Sequence, residues 1–294
     1  MPALRYAGPE DVLKVLPKRR PDSHKGEHGR LLVIGGGSRY TGAPAMVGLA
    51  ALRSGVDLVT VASPARTALV VSSFSPDLIT VELPGRDFGS GALSRLREPL
   101  ERATALVVGP GLGTGSSTQR AVIKLTRMLL KDFSQLPVLY DADGLKAIAH
   151  RRDLLCNPRW VVTPHAGEFE LLTDSGLPAG VRARARRVAE TAGELGCVVL
   201  LKAHVDIIAS PGGKTVLNRT GNPGMTVGGT GDVLSGIIGT FLAQGADPFQ
   251  AAVAGAFVCG RVGDICRKKM GYEFMASDLI ERLPKVFAEV RGGA

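Results

Sequence analysis

Six short apolar runs, at 31–34, 58–62, 105–108, 138–140, 160–162 and 198–201, punctuate the chain, each ending in glycine or a polar residue. Uninterrupted apolar character over so few residues is how a strand buried on both faces reads. Between these runs, apolar positions recur at helical spacing through 43–54, 116–130, 144–150 and 182–195. Strand then helix, repeated, predicts an α/β protein with a doubly wound, mostly parallel sheet flanked by helices. The pattern changes where 206–210 and 215–218 flank Pro211-Gly212-Gly213-Lys214, which predicts a hairpin and therefore an antiparallel edge. Three helical stretches follow at 232–244, 248–265 and 277–290, with Gly245 stopping the first and Ser277 as N-cap of the last. No linker, low-complexity segment or repeat interrupts 1–294, so the chain reads as a single domain.

Composition narrows the class. Hydrophobic residues at 45% and charged residues at 21% exclude a disordered, collagen-like or disulfide-scaffold protein. Glycine is over-represented, 38 of 294 residues against an average of roughly 7%, so tight backbone turns are where chemistry is sought. The net charge of +9 lies in separate patches, at 18–20, 182–187 and 267–269, with no interleaved aromatics and no zinc-finger or RNP pattern, so nucleic acid is not expected as a partner. Cysteines at 156, 197, 259 and 266 show neither C-x-x-C spacing nor metal-ligand order with the histidines, and Cys197 and Cys259 fall in apolar runs that predict core positions. The N-terminus has no apolar signal-peptide region and no uninterrupted apolar stretch approaches 18 residues, which points to a cytoplasmic protein without a membrane partner.

In an open α/β sheet the ligand lies beyond the carboxyl ends of the strands, so five junctions carry the candidate chemistry. Gly35-Gly36-Gly37 through Pro44 and Gly109-Pro110-Gly111-Leu112-Gly113 are glycine-rich exits from strands, each failing G-x-G-x-x-G spacing. Either is a tight turn or an anion-binding loop. Asp141-Ala142-Asp143 sets two carboxylates at a strand end, suited to Mg²⁺ or a ribose hydroxyl, or to capping the next helix through Asp143. Thr163-Pro164-His165-Ala166-Gly167-Glu168 joins an imidazole to a carboxylate that is a candidate metal ligand, directly or through water.

The last junction, 221–236, is the most informative, because Gly228-Gly229-Thr230-Gly231-Asp232 runs into an apolar helix. Amides at 228–231 would meet a developing negative charge, and Asp232 would accept the proton of a substrate hydroxyl as its oxygen attacks a phosphorus. Asp232 as a helix cap is the plainer alternative. Gly213-Lys214-Thr215 mimics the tail of a P-loop, but Ile208 occupies the earlier glycine position.

The Gly-Thr-Gly-Asp element closing a doubly wound sheet resembles the ribokinase-like superfamily. With Lys25-Gly-Glu-His-Gly-Arg30, Tyr40-Thr-Gly-Ala43, Gly109-Pro-Gly-Leu-Gly113, Asp141-Ala-Asp143, Thr163-Pro-His-Ala-Gly-Glu168 and Gly221-Asn-Pro-Gly-Met225, in order over about residues 20 to 290, the chain resembles the ADP/ATP-dependent NAD(P)H-hydrate dehydratases. The resemblance implies a lyase that returns hydrated NADH or NADPH to the reduced dinucleotide, with ADP or ATP phosphorylating the hydrate hydroxyl and Mg²⁺ present. It implies that Ala43, Gly111, Gly113, His165 and Asp232 line the hydrate site and that Lys202, Ala203, His204, Val205, Asp206 and Gly231 contact the AMP moiety of the nucleotide. Asp232, Gly229 and Gly231 are then the catalytic set. Ala203 stands where the family usually has glycine, and Cys259 where histidine is common. The resemblance also implies a homo-oligomer, a tetramer or larger, and a separate epimerase for the hydrate, since the chain begins at the dehydratase. A kinase of a vitamin-precursor alcohol is the main alternative, distinguished by a stable phosphorylated product; a nucleotide-binding scaffold without turnover is the other.

Overall fold

The computed structural model describes residues 4–292. In chain order the elements begin with β1 (Arg5–Tyr6), α1 (Pro9–Val15), β2 (Arg30–Ile34), α2 (Ala43–Ser54), β3 (Leu58–Pro64), α3 (Ala65–Phe74), β4 (Ile79–Leu83), α4 (Leu93–Arg102) and β5 (Ala105–Val108). They continue with α5 (Ser116–Asp132), β6 (Val138–Tyr140), α6 (Ala142–Ile148), β7 (Trp160–Val162), α7 (Ala166–Thr173), α8 (Val181–Leu195) and β8 (Val198–Leu201). The last third holds β9 (Asp206–Ala209), β10 (Thr215–Asn218), α9 (Thr230–Ala243), α10 (Pro248–Met270) and α11 (Ala276–Val290). One ten-stranded sheet runs β1-β10-β9-β8-β7-β6-β5-β2-β3-β4, and only β9 opposes its neighbours.

All six apolar runs are strands, and the sheet is doubly wound and mostly parallel as the pattern predicts. Along each strand the pleat sends alternate residues to opposite cores: Leu31 and Val33 to one, Leu32 and Ile34 to the other. The first face is clad by α1, α2, α3, α9, α10 and α11, the second by α4 through α8. Helix α10 is apolar and long enough to cross a bilayer, yet 83% of its apolar window is buried between its neighbours, so its composition reflects a core position. Cys197 and Cys259 are buried, as their apolar surroundings predict.

Three expectations are corrected. The 206–218 hairpin forms, with Gly213 at φ +80, but it is not the outermost edge, because β1 adds parallel to β10. Ser277 does not cap α11: Met275 occupies the N-cap, its N–H donating to the Asp278 carboxylate at 2.7 Å, so the acid three residues on closes the helix end. Helix α9 starts at Thr230, two residues before the position expected, which places Asp232 inside the first turn and leaves Gly229, at φ +96, as the cap. The strand order reverses direction between β2 and β5, so the two glycine-rich exits, after Ile34 and after Val108, flank the switch point where α/β sheets bind ligands.

Candidate active site

The two glycine-rich exits are knitted to each other. Gly36, at φ +76, donates its N–H to the Pro110 carbonyl at 2.8 Å, and Ser38 N–H donates to Asp87 at 2.7 Å. The first exit is therefore a turn that buttresses the second. Gly111, at φ +72, lies against the Tyr40 carbonyl, and a Cβ there would come within 3.2 Å of the Ala43 Cβ, so Ala43 and Gly111 are neighbours. Gly113 N–H donates to Asp143 at 2.9 Å. Asp143 also accepts from Lys146 at 3.1 Å, so it does not cap α6 as one reading had it; it ties the second glycine loop to that helix. Ala142 between the two acids is held at φ +48, a left-handed conformation that costs an alanine about 1–2 kcal/mol.

Asp141 is buried and fully engaged. Its Oδ1 accepts from Lys202 Nζ at 2.7 Å and Thr163 Oγ1 at 2.8 Å, and its Oδ2 from Ser235 Oγ at 2.8 Å. These bonds hold the ends of β6, β7 and β8 to helix α9, and they hold the Asp141 carboxyl below the usual range despite burial. Neither a cation nor a ribose hydroxyl finds a free acceptor there. Ser235 and Thr163 are site residues that sequence reading passed over, although Ser235 lies one turn beyond Asp232 on the same face of an otherwise apolar helix.

Asp232 has no hydrogen-bond partner among the described residues. It is not a cap, and its carboxyl is pushed up to about 7, first by burial and then by the charge of Asp141, with Lys202 opposing and Asp143 adding. The Lys202 ammonium lies between Asp141 and Glu168, 3.8 Å from the latter. A Cβ on Gly231 would sit 3.8 Å from both the Lys202 Nζ and Asp141 Oδ2, so the helix start, the ammonium and the buried acid converge. The first amides of α9 lack intrahelical acceptors by construction, and with the dipole they favour an anion.

His165 is the N-cap of α7. Its Nδ1 accepts from the N–H groups of Gly167 at 3.1 Å and Glu168 at 3.3 Å, which leaves Nε2 as the donor on an exposed ring. Glu168 returns the favour, accepting from His165 N–H at 3.0 Å, and lies within 4.0 Å of Lys146 as well as near Lys202. An acid bounded by two ammonium groups and a cap bond does not fit a resident hard cation. Among the described residues no group of three His, Cys, Asp or Glu side chains gathers to hold a metal.

Beyond Lys202 opens a cleft of about 400 Å³, lined in part by Ala203, His204, Asp206, Asn222, Gly231 and Cys259. Five of the six expected nucleotide positions line it, Lys202, Ala203, His204, Asp206 and Gly231; Val205 instead packs against the second core. The Asp206 carboxylate closes the turn, accepting from Ala203 N–H at 2.9 Å and Asn218 Nδ2 at 3.0 Å, while burial raises it to about 6. Ala203 keeps negative φ, so alanine in place of glycine strains nothing. A Cβ on Gly229, at φ +96, would meet Met46 and Ala276, so glycine suits this cap position. The opposite wall, 220–226, is held by α10: Asp264 accepts from Gly221 N–H and Asn222 Nδ2, each at 3.1 Å, and Gly260 and Gly263 let Thr220 and Met225 approach closely. The Gly221-Asn222-Pro223-Gly224-Met225 motif was the signal for this wall.

A family model described as NAD(P)H-hydrate dehydratase matches residues 31–285. The chain is 44% identical over 279 residues to the bifunctional NAD(P)H-hydrate repair enzyme Nnr of Pyrobaculum aerophilum, over 95% of this chain and 54% of that protein. It thus spans about half the length of several curated relatives it matches. It is 39% identical over 288 residues to the ADP-dependent (S)-NAD(P)H-hydrate dehydratase of Cenarchaeum symbiosum, with 97% of each covered. Among solved structures, a ribokinase-like superfamily protein from Enterococcus faecalis superposes with a TM-score of 0.84 at 27% identity, covering 98% of this chain and 96% of that one. The ADP/ATP-dependent NAD(P)H-hydrate dehydratase of Bacillus subtilis, co-crystallized with ATP/Mg²⁺, gives 0.78 at 25% identity, covering 99% and 100%. The fold is ribokinase-like.

Proposed function

Because the chain belongs to the NAD(P)H-hydrate dehydratase family, we propose that it returns hydrated NADH and NADPH to the reduced dinucleotides, with ADP or ATP as phosphoryl donor. The observation that carries this reading is the unpartnered Asp232 carboxylate in the first turn of α9, between the glycine loops on one side and the Lys202–Asp206 cleft on the other. Hydroxide is a poor leaving group and phosphate a good one. The substrate hydroxyl gives its proton to Asp232 as its oxygen attacks the terminal phosphorus of the donor, releasing AMP or ADP. The first amides of α9 and the Lys202 ammonium meet the charge that develops. The C–O bond then breaks, phosphate leaves, and loss of a proton from the adjacent ring carbon restores the reduced ring.

In this reading Ala43, Gly111, Gly113 and the His165 Nε2–H bind the hydrate, and Lys202 to Asp206 with Gly231 bind the nucleotide. Mg²⁺ would accompany the donor's phosphates as their counter-ion. The reading also places the protein in the cytoplasm, as a homo-oligomer of at least four copies, beside an epimerase that interconverts the hydrate forms.

The test mixes the protein with hydrated NADH, Mg²⁺ and ADP or ATP, following reduced-nicotinamide absorbance and phosphate release. Recovery with one phosphate per turnover is expected, and Asp232→Asn should lose about 10²–10⁴-fold in kcat. Accumulation of a stable phosphorylated product would identify an alcohol kinase instead, and absence of recovery with either nucleotide would end the proposal.

A further inference from the structure

The wall that faces the hydrate in the proposed reaction is short of positive charge. Four carboxylates, Asp141, Asp143, Glu168 and Asp232, stand at the strand ends there against two ammonium groups. Both ammonium groups are engaged, Lys146 with Asp143 at 3.1 Å and Lys202 with Asp141 at 2.7 Å. Yet a hydrated dinucleotide carries two bridging phosphates, and in the NADPH form a third on its 2′-hydroxyl. Such a substrate needs a cation outside that ring of acids.

A cation adjoins the wall on the glycine-loop side. Tyr40 packs on Gly111, where a Cβ would meet the Tyr40 carbonyl at 2.9 Å and the Tyr40 Cβ at 3.0 Å. The Arg39 guanidinium in turn lies 5.8 Å from the centroid of the Tyr40 ring. Both side chains are exposed, and Arg39 enters no ion pair among the described residues. We propose that Arg39, steadied on the Tyr40 ring, binds the phosphates of the dinucleotide hydrate. This rests on the reading of Ala43 and Gly111 as the wall that faces the hydrate.

The turn that carries the pair is braced from outside the site. Ser63 Oγ donates to the Gly35 carbonyl at 2.6 Å, Thr67 Oγ1 donates to the Gly37 carbonyl at 3.1 Å, and Asp87 accepts from Ser38 N–H at 2.7 Å. Close packing fixes its path, since a Cβ on Gly37 would come 3.0 Å from the Asp87 carboxylate and 3.2 Å from the Leu112 carbonyl. The backbone is held up to Ser38, while the side chains of Arg39 and Tyr40 stand free. A guanidinium resting on an aromatic face loses less freedom when it closes on a phosphate, to which it can donate two parallel N–H bonds. Asp87 is then a positioning residue: it holds the amide next to Arg39 and touches no substrate.

Hydrate KM, nucleotide KM and kcat are to be measured with hydrated NADH and hydrated NADPH for Arg39→Ala, Arg39→Lys, Asp87→Ala and Asp87→Asn, with calorimetry following the binding of NADPH itself. Arg39→Ala should raise hydrate KM and the NADPH Kd about tenfold, with kcat and the KM for ADP or ATP within about twofold. Arg39→Lys keeps the charge and should recover part of that loss. Asp87→Ala should raise hydrate KM about threefold, and Asp87→Asn, in which an amide oxygen still accepts from Ser38 N–H, should restore it. Equal rises for the two hydrates put Arg39 on the bridging phosphates; a rise confined to hydrated NADPH puts it on the 2′-phosphate. A hydrate KM unmoved in Arg39→Ala would overturn the proposal, and the exposure of Arg39 leaves that variant free to fold. If the unaltered protein regenerates no reduced dinucleotide, the functional reading fails and calorimetry alone decides. An NADPH Kd unmoved by Arg39→Ala, or no NADPH binding to the unaltered protein, then overturns the phosphate site.

Discussion

The Asp232 carboxylate, partnerless beside two other acids, opposes folding once it is ionised. In the unfolded chain this group releases its proton near 3.8, and in the folded protein near 7. Below about 4 both states hold the proton. As pH rises from there to about 7 only the folded state keeps it, so the stability it contributes is lost progressively through that window. Asp232→Asn removes this dependence and should raise Tm by about 2–4 °C at pH 8, a gain that shrinks toward pH 4. Calorimetry at the two pH values checks it; an equal gain at both would place the effect in packing rather than charge. Much of this site was legible as residues, because glycine runs before a helix and an acid in its first turn form a local pattern. What was not legible was the company of Asp141. Its donors come from positions 163, 202 and 235, and only the sheet brings them together.

The elements divide by the same logic. The central strands β2, β3 and β5 to β8 were readable because burial on both faces leaves them apolar throughout. Strand β4 at the sheet's edge is largely half-exposed, with Ile79 and Glu82 at the surface, and β1 is two residues long, so neither reads as a buried apolar run. Helix α4 carries Pro99 within it, which hid it. Helix α10 shows how an element can shape a site from behind. A Cβ at Gly260 would fall on the Thr220 hydroxyl and 2.5 Å from its carbonyl, and Thr220 cannot yield without moving the cleft wall. Gly260→Ala should therefore displace 220–226 at a cost of about 1–3 kcal/mol. Nucleotide KM would rise about tenfold while kcat at saturation changes little. Steady-state kinetics against ADP and ATP checks this, and an unchanged KM would show that the wall does not touch the nucleotide.

At the scale of the whole molecule the net charge of +9 matches the proposed substrates, which are all polyanions. Raising ionic strength from about 0.02 M to 0.3 M shortens the Debye length from about 20 Å to about 6 Å and should lower kcat/KM for the nucleotide several-fold, with kcat held. A salt-independent kcat/KM would mean that the surface charge serves something other than capture.

The two faces of the sheet are not built alike. The second is covered by α4 through α8, contiguous in the chain, whereas the first takes α1, α2 and α3 from its start and α9, α10 and α11 from its end. On the ribosome, then, β6, β7 and β8 stand bare on that side until the chain beyond Thr230 has emerged and brings α9 and α10. The nascent protein is a partly clad sheet awaiting its own last three helices, and the Asp232 carboxyl meets Lys202 and Asp141 only as that layer docks.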